Sequence, residues 1–211
     1  ISQPTTSPSI TATFPAPTTT PTRTRATSTI AVGAPTVRER ILLRELPGIG
    51  RQPYALAALG DKIYAACSGT QNLAVIQNDR VVKFITLGKA RAALAADPAQ
   101  KRLYVSNASD KSISLIVNDQ IALTQNVGEE TRTLLFFENR LFAGSDLKGT
   151  ILVLDPATLQ IQTRITVPNA ASIINLAGDP AHHRLYVAAY DKTVVLDSTS
   201  LRVLTTLPTK G

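Results

Sequence analysis

The chain has 211 residues with 22 Lys and Arg against 15 Asp and Glu, a formal net charge of +7, and it contains one Cys, no Met and no Trp. The single cysteine excludes an internal disulfide, and no apolar run is long enough for a membrane-spanning helix or the core of a signal peptide. The cations are scattered rather than clustered, so the basic balance permits contact with anions without demanding it.

A chain opening at Ile1 instead of Met reads as processed or as a fragment. Residues 1–36 hold 12 Thr, 4 Ser and 6 Pro and no acidic residue. So little apolar surface cannot offset the entropy of ordering, so this segment is expected to be a disordered stalk or linker. Its composition fits a stalk carrying O-linked sugars and fits a plain interdomain linker equally. Arg23 and Arg25 contribute two of the positive charges, leaving +5 for the rest.

From Val37 onward, short β-type runs alternate with turn residues and no helical period is sustained. Arg40–Leu46 aligns with Arg80–Thr86 and reads as a lone outer strand. Three landmarks then recur. An aromatic opens the second strand of each unit at Tyr64, Tyr104, Phe142 and Tyr186, with spacings of 40, 38 and 44. An apolar strand follows 9, 9, 9 and 8 residues later, at Leu73, Ile113, Ile151 and Val194. A further strand starts just after Arg80, Gln120, Gln160 and Arg202. The units run over about 47–87, 88–127, 128–167 and 168–207. In the second, strands are expected at Ala92–Ala96, Arg102–Ser106, Ser112–Val117 and Ile121–Val127.

The turns have matching chemistry. Asn78-Asp79 and Asn118-Asp119 suit tight hairpins because Asn and Asp tolerate a left-handed backbone. Asp155-Pro156-Ala157-Thr158 and Asp197-Ser198-Thr199-Ser200 make longer turns at the same place. A repeated four-stranded unit of about 40 residues predicts an all-β protein, a β-propeller of antiparallel blades. Alanine-rich runs such as Ala55–Ala58 and Ala92–Ala96 suit the crowded innermost strands. Four units plus one lone outer strand are expected to belong to a larger ring, with a closed ring of four blades as the alternative.

Tyr104-Val105-Ser106-Asn107 resembles the Tyr-Val-Thr-Asn signature of the YVTN β-propeller repeats. Tyr186-Val187-Ala188-Ala189 and Tyr64-Ala65-Ala66-Cys67 are weaker copies, and Phe142-Ala143-Gly144-Ser145 departs further. Leu87-Gly88 and Val127-Gly128 supply the pair that closes an outer strand in that family. The resemblance covers residues 37–211. It implies a bacterial or archaeal protein that is exported to the periplasm, cell surface or outside the cell, and a binding scaffold more often than an enzyme. Related propellers include lactonases, lyases and quinone-cofactor dehydrogenases, so fold alone does not decide function.

In a propeller the loops from outer to inner strand and from second to third strand share one face, the mouth of the channel. The first loop type brings Arg51, Arg91 and Arg132. The second brings Asn107, Asp110, Lys111, Asp146, Lys148, Asp191 and Lys192. Guanidinium groups suit carboxylates and phosphates. The ring of arginines is weighed against solvated arginines paired with neighbours such as Glu129 and Glu130, and the recurring Asp against turn-forming Asp. Cys67 is expected to be a buried structural thiol. His182 and His183 fall on the opposite face, with no further ligand nearby for zinc. Neither a nucleophile elbow nor a Gly-rich phosphate loop is present. Asn107-Ala108-Ser109 fits an N-glycosylation acceptor. Phe136, Phe137 and Tyr190 are the aromatics near loops that could stack on single strands, but nucleic acid is not the expected partner.

The expectation is therefore a monomeric, non-enzymatic envelope propeller that binds a protein or small anionic ligand. No catalytic residue, metal site or cofactor is assigned. The alternative is a propeller enzyme of lactonase or lyase type with its site at the channel mouth.

Overall fold

The structure, a computed structural model, describes residues 52–88 and 92–208. The Thr/Pro-rich segment, the lone strand at 40–46 and both Arg51 and Arg91 lie outside the described residues.

The described residues form four sheets of four antiparallel strands. Blade 1 is β1 (Pro53–Leu59), β2 (Lys62–Cys67), β3 (Asn72–Gln77) and β4 (Arg80–Thr86). Blade 2 is β5 (Leu94–Asp97), β6 (Arg102–Asn107), β7 (Ser112–Val117) and β8 (Gln120–Asn126). Blade 3 is β9 (Thr131–Phe137), β10 (Arg140–Ser145), β11 (Thr150–Leu154) and β12 (Ile161–Thr166). Blade 4 is β13 (Ile173–Asp179), β14 (Arg184–Ala189), β15 (Lys192–Asp197) and β16 (Val203–Pro208). Each sheet is ordered as in the chain, from inner to outer strand.

One register runs through all four. Tyr64 pairs with Ala57 and Val75, Tyr104 with Ala95 and Leu115, Phe142 with Leu135 and Val153, and Tyr186 with Ala177 and Val195. The outer pair of every blade is then bulged at the same step, after Val75, Leu115, Val153 and Val195. A bulge raises the local twist of a pair. The recurring bulge is invisible in the sequence, because nothing in the apolar pattern marks the extra residue. The Asn-Asp hairpins are as expected: both residues have positive φ, 51° and 58° at Asn78-Asp79, and 50° and 58° at Asn118-Asp119. Ladder pairing of β5 begins at Leu94, later than the expected Ala92. Ala93 instead bonds Ser106 through both its amide, to the Ser106 side chain at 2.8 Å, and its carbonyl, to the Ser106 amide at 2.9 Å.

The core lies between the blades. Tyr64, Leu73 and Val75 of blade 1 pack with Leu103, Val105 and Ile116 of blade 2. Tyr104, Ile113 and Leu115 meet Leu134, Leu141 and Leu154 of blade 3. Phe142, Ile151 and Val153 meet Leu176, Leu185 and Leu196 of blade 4. Each fully buried side chain of this size contributes about 1.5–3 kcal/mol by leaving water. The alternation of a strand explains the arrangement: Leu103 and Val105 face back, while Tyr104 faces forward. Phe136, stacked on Tyr104 with ring centroids 5.9 Å apart, and Phe137 belong to these layers and are not loop aromatics. Cys67 is buried, and burial pushes its thiol up from the ordinary value, in keeping with a structural role.

A polar joint accompanies each apolar layer. The Tyr64 hydroxyl donates to Asp119 Oδ1 at 2.5 Å, Lys62 Nζ to Asp119 Oδ2 at 2.5 Å, and Lys83 Nζ to the Asp119 carbonyl at 2.7 Å. The Tyr104 hydroxyl donates to the Pro156 carbonyl at 3.0 Å. Arg102 acts on the same turn: hydrogen bonds from Thr158 first, and then the charge of Arg102, hold the Asp155 carboxyl below its ordinary range. Phe142 has no hydroxyl, and there Arg140 donates to the Ser198 carbonyl at 3.1 Å, while the Ser198 hydroxyl donates to Glu138 at 2.6 Å. Blades 1, 2 and 3 thus each reach from the second strand into the third-to-fourth strand turn of the next blade. His183 Nδ1 lies 2.6 Å from Glu138 Oε1 at the last of these joints, and His182 Nδ1 lies 2.8 Å from Asp179 Oδ2.

Burial raises the Asp119 carboxyl, but hydrogen bonds from Lys62 and Tyr64 outweigh it and hold the group below its ordinary value. Its contribution to stability is therefore present above the unfolded carboxyl value, near 3.9, and is lost as pH falls through the depressed folded value. Urea unfolding followed over pH 2–7 should show this loss in the wild type and a smaller one in Asp119→Asn. At neutral pH, Asp119→Ala should cost about 2–3 kcal/mol. In Tyr104, burial first of all pushes the hydroxyl up to about 12. Its joint is intact below the unfolded value near 10 and is lost as pH rises through about 12, which absorbance of ionised tyrosine at alkaline pH will follow against a Tyr104→Phe control.

Candidate functional site at the channel mouth

The inner strands converge at one end of the described arc on a cavity of about 330 Å³. Blade 1 supplies Tyr54, blade 2 Ala93, blade 3 Arg132 and Thr133, and blade 4 Ile174 and Asn175. All come from the entrance of an inner strand, so the cavity marks the axis at the mouth. Small residues such as Ala55 and Ala93 leave the space, since a larger side chain there would fill it. Its lining is mixed, with Ala55, Ala93, Leu94, Leu134 and Ile174 beside the polar groups of Tyr54, Arg132, Thr133 and Asn175.

Arg132 is the predicted loop arginine that the structure brings to this cavity. Its guanidinium donates to Asp146 Oδ1 at 2.9 Å, and the Ser172 hydroxyl donates to the same oxygen at 3.2 Å. Hydrogen bonding to Asp146, and more weakly the neighbourhood of Tyr54, raises the Arg132 value above its ordinary one, so the group stays charged. Thr133 Oγ1 lies 3.4 Å from Asn175 Oδ1, linking blades 3 and 4 at the rim. A guanidinium has five donor hydrogens; Asp146 engages it through one nitrogen and Tyr54 is hydrogen-bonded to it as well, so donors remain for a further acceptor. Tyr54 and Asn175 were missed by sequence reasoning because they sit on inner strands, where residues were read as packing only.

The other expected residues have different surroundings. Asn107 is only 2% exposed. Its amide donates to Ser112 Oγ at 3.2 Å and Ser114 Oγ at 2.9 Å, and its oxygen accepts from the Gly88 amide at 3.2 Å. It ties the two mouth-side loops of blade 2 together. Gly88 is needed there: a Cβ would stand 2.3 Å from Asp110 Oδ2 and 2.9 Å from Asn107 Cβ. With its amide enclosed, Asn107 does not present itself to a ligand or a sugar in the folded blade. Asp110 lies in a single 3-10 turn, Ala108–Asp110, closed by Lys111 in the left-handed conformation. Lys148 is exposed, and its amide is bonded to Ser145 Oγ at 3.2 Å. Lys192 Nζ donates to the Asn169 carbonyl at 2.9 Å and lies 3.5 Å from Asp191. Glu129 is buried rather than paired with the mouth arginine. It accepts from Thr150 at 2.5 Å and forms an ion pair with Arg164. Among the described residues no group of three or more His, Cys, Asp or Glu is arranged to hold a metal.

A larger cleft of about 570 Å³ lies at the opposite ends of blades 2 and 3. It is lined by Arg102, Arg140, Glu138 and Asp155, which already serve the blade joints or their turns. No helix among the described residues is long and apolar enough to cross a membrane.

No protein-family model and no curated protein matches the chain. Solved structures do. Hydrazine synthase of Kuenenia stuttgartiensis superposes with a TM-score of 0.68 at 15% identity, over 83% of this chain and 53% of that one. The WD40 β-propeller domain of Doa1 gives 0.64 at 13% identity, over 77% and 56%. Glutaminyl cyclase of Myxococcus xanthus gives 0.55 at 16%, over 74% and 70%. At these identities the likeness establishes the propeller fold alone. The chain spans about half the length of the first two structures.

Asn107→Ala should destabilise the chain by about 2–4 kcal/mol, because it strands the Gly88 amide and takes the amide donor from the buried Ser112 and Ser114 oxygens. Thermal unfolding monitored by circular dichroism reads the loss, and Lys111→Ala on the same loop should stay within about 0.5 kcal/mol of wild type.

Proposed function

We propose that this chain is a non-enzymatic binding scaffold whose channel mouth takes an anionic group, either the carboxylate of a small molecule or an acidic side chain or C-terminus of a protein. One observation carries the reading. Arg132 is held at the cavity by Asp146 with donors to spare, beside the Tyr54 ring and the Asn175 amide. A fixed guanidinium loses little entropy on gripping a carboxylate in bidentate fashion, and an aromatic neighbour adds apolar contact. Asp110, Lys111, Lys148 and Asp191 would form the outer rim, where charges set approach and orientation more than affinity. Arg51 and Arg91 would add to the same mouth.

The YVTN-type resemblance and the Thr/Pro-rich segment support a place outside the cytoplasm, in the periplasm or at the cell surface, with residues 1–36 as the spacer. The same fold is shared by a WD40 domain and by enzymes, so a lactonase- or lyase-type activity stays the second reading. No observation favours it: Asp146, the carboxylate beside Arg132, is engaged by Arg132 and Ser172.

Titration with succinate and with inorganic phosphate, followed by amide chemical shifts, tests the site. Saturable shifts grouped at Tyr54, Thr133 and Asn175 are expected, with a dissociation constant on the order of 1 mM for so small a ligand. Arg132→Ala should abolish them without unfolding the chain. Shifts that survive in Arg132→Ala, or spread evenly over the surface, would refute the mouth as an anion site.

A further inference from the structure

The cleft of about 570 Å³ between blades 2 and 3 lies inside the described arc, and both of its walls are four-stranded blades. Blade 2 contributes Gln100 and Arg102. Blade 3 contributes Asn139, Arg140, Gln162 and the turn around Pro156.

Comparison of the three joints shows what is missing at this one. At the first, the two-residue turn brings Asp119 onto both Lys62 and Tyr64. At the third, Glu138 meets the Ser198 hydroxyl and His183, and Arg140 donates to the Ser198 and Thr199 carbonyls. The second joint has counterparts of these residues with the reaching groups changed. Gln100 stands two positions before Arg102, as Glu138 stands two before Arg140. Pro156 stands where the next blade has Ser198, and it has no hydroxyl. Asp155 is turned back on its own turn, where Oδ1 accepts from the Ala157 amide at 2.9 Å, the Thr158 amide at 2.8 Å and the Thr158 hydroxyl at 3.0 Å. The Pro156 carbonyl is taken by Tyr104.

The cleft is therefore rich in donors that have nothing to bond. Arg102 is hydrogen-bonded to the Tyr104 hydroxyl and feels the charge of Asp155, but it forms no ion pair among the described residues. The carboxamides of Gln100, Asn139 and Gln162 are exposed and have no partner among the described residues. The acids, by contrast, are occupied: Glu138 by Ser198 and His183, Asp155 by its turn. What the cleft lacks is an acceptor, and a carboxylate is acceptor-only. A carboxamide both gives and takes hydrogen bonds, which suits hydroxyls placed beside that carboxylate. Arg102 and Arg140 are balanced in charge by Glu138 and Asp155, so directed bonds decide recognition here more than attraction at a distance.

We propose that this cleft is a second binding site, for a small hydroxylated carboxylate of the sugar-acid kind. Its carboxylate is forked on Arg102, and its hydroxyls meet Gln100, Asn139 and Gln162. The site shares no residue with the channel mouth and lies at the opposite ends of the blades. Its volume is in the range of small-molecule sites. The walls are preset: the Gln100 amide is bonded to Asp97 Oδ1 at 3.1 Å, and Asn139 is fixed in its hairpin with φ 57°. Little ordering is left for the ligand to impose.

Titration of the full chain with glucuronate, gluconate and tartrate, followed by side-chain amide shifts, tests the site. At least one acid should give saturable shifts at Gln100, Asn139 and Gln162, with a dissociation constant on the order of 1 mM. Glucose, which lacks the carboxylate, should bind at least about tenfold more weakly, and Arg102→Ala should remove the response. Gln100→Glu changes an exposed side chain that no bond of the fold uses. It sets a carboxylate of the protein's own before Arg102, as Glu138 stands before Arg140. It should weaken binding by at least about tenfold while the circular dichroism stays that of the wild type. The absence of saturable shifts at these amides up to about 50 mM of all three acids overturns the proposal. So does an affinity that Gln100→Glu leaves unchanged, or glucose binding as tightly as the acids.

Discussion

A four-stranded sheet with apolar residues on both faces cannot be covered by its own strands, and everything else in this protein follows from that constraint. Leu103 and Tyr104 are neighbours in sequence, are fully buried, and are buried by different sheets. Neither blade of a pair is a folding unit by itself, so stability is a sum over interfaces more than over sheets. The polar joint adds direction to a layer that is otherwise non-directional. The tyrosine hydroxyl and the basic side chain find their acceptors only when the next blade sits at one height and one rotation.

The joint also shows how a repeat tolerates variation. Tyr64 ends on a carboxylate, Tyr104 on a backbone carbonyl, and Phe142 on nothing, with Arg140 taking over the contact. The acceptor is a turn in each case, and a turn presents carbonyls whatever its side chains are. A position can therefore lose its hydroxyl without losing the blade, provided a neighbour reaches the same turn.

At the mouth, the same loops that carry variable residues also need internal fastening. Asn107 and Glu129 are spent on it, each buried and bonded within its own blade. Arg132 is different, since one carboxylate steadies it while it stays at the cavity rim. A residue that is held but not consumed is the kind of group a binding site needs, because little ordering is left to occur when the ligand arrives.

The sequence determined the repeat, the number of complete units, the strand order, the left-handed Asn-Asp turns and the burial of the aromatics. These depend on alternation and turn chemistry, which are local and recur every 40 residues or so. It also pointed to Arg132 as a mouth residue. Only the tertiary structure decided how each of the described loop residues is held. Asn107 and Arg132 look equally polar in the chain, yet three hydrogen bonds enclose one within its blade, while Asp146 and Tyr54 hold the other at the cavity. The recurring outer bulge, the role of Tyr54 and Asn175, and the hand-over from tyrosine to Arg140 were likewise beyond the pattern. Each depends on what another blade places opposite, and the identity of a residue's neighbour across an interface is not written in its own segment.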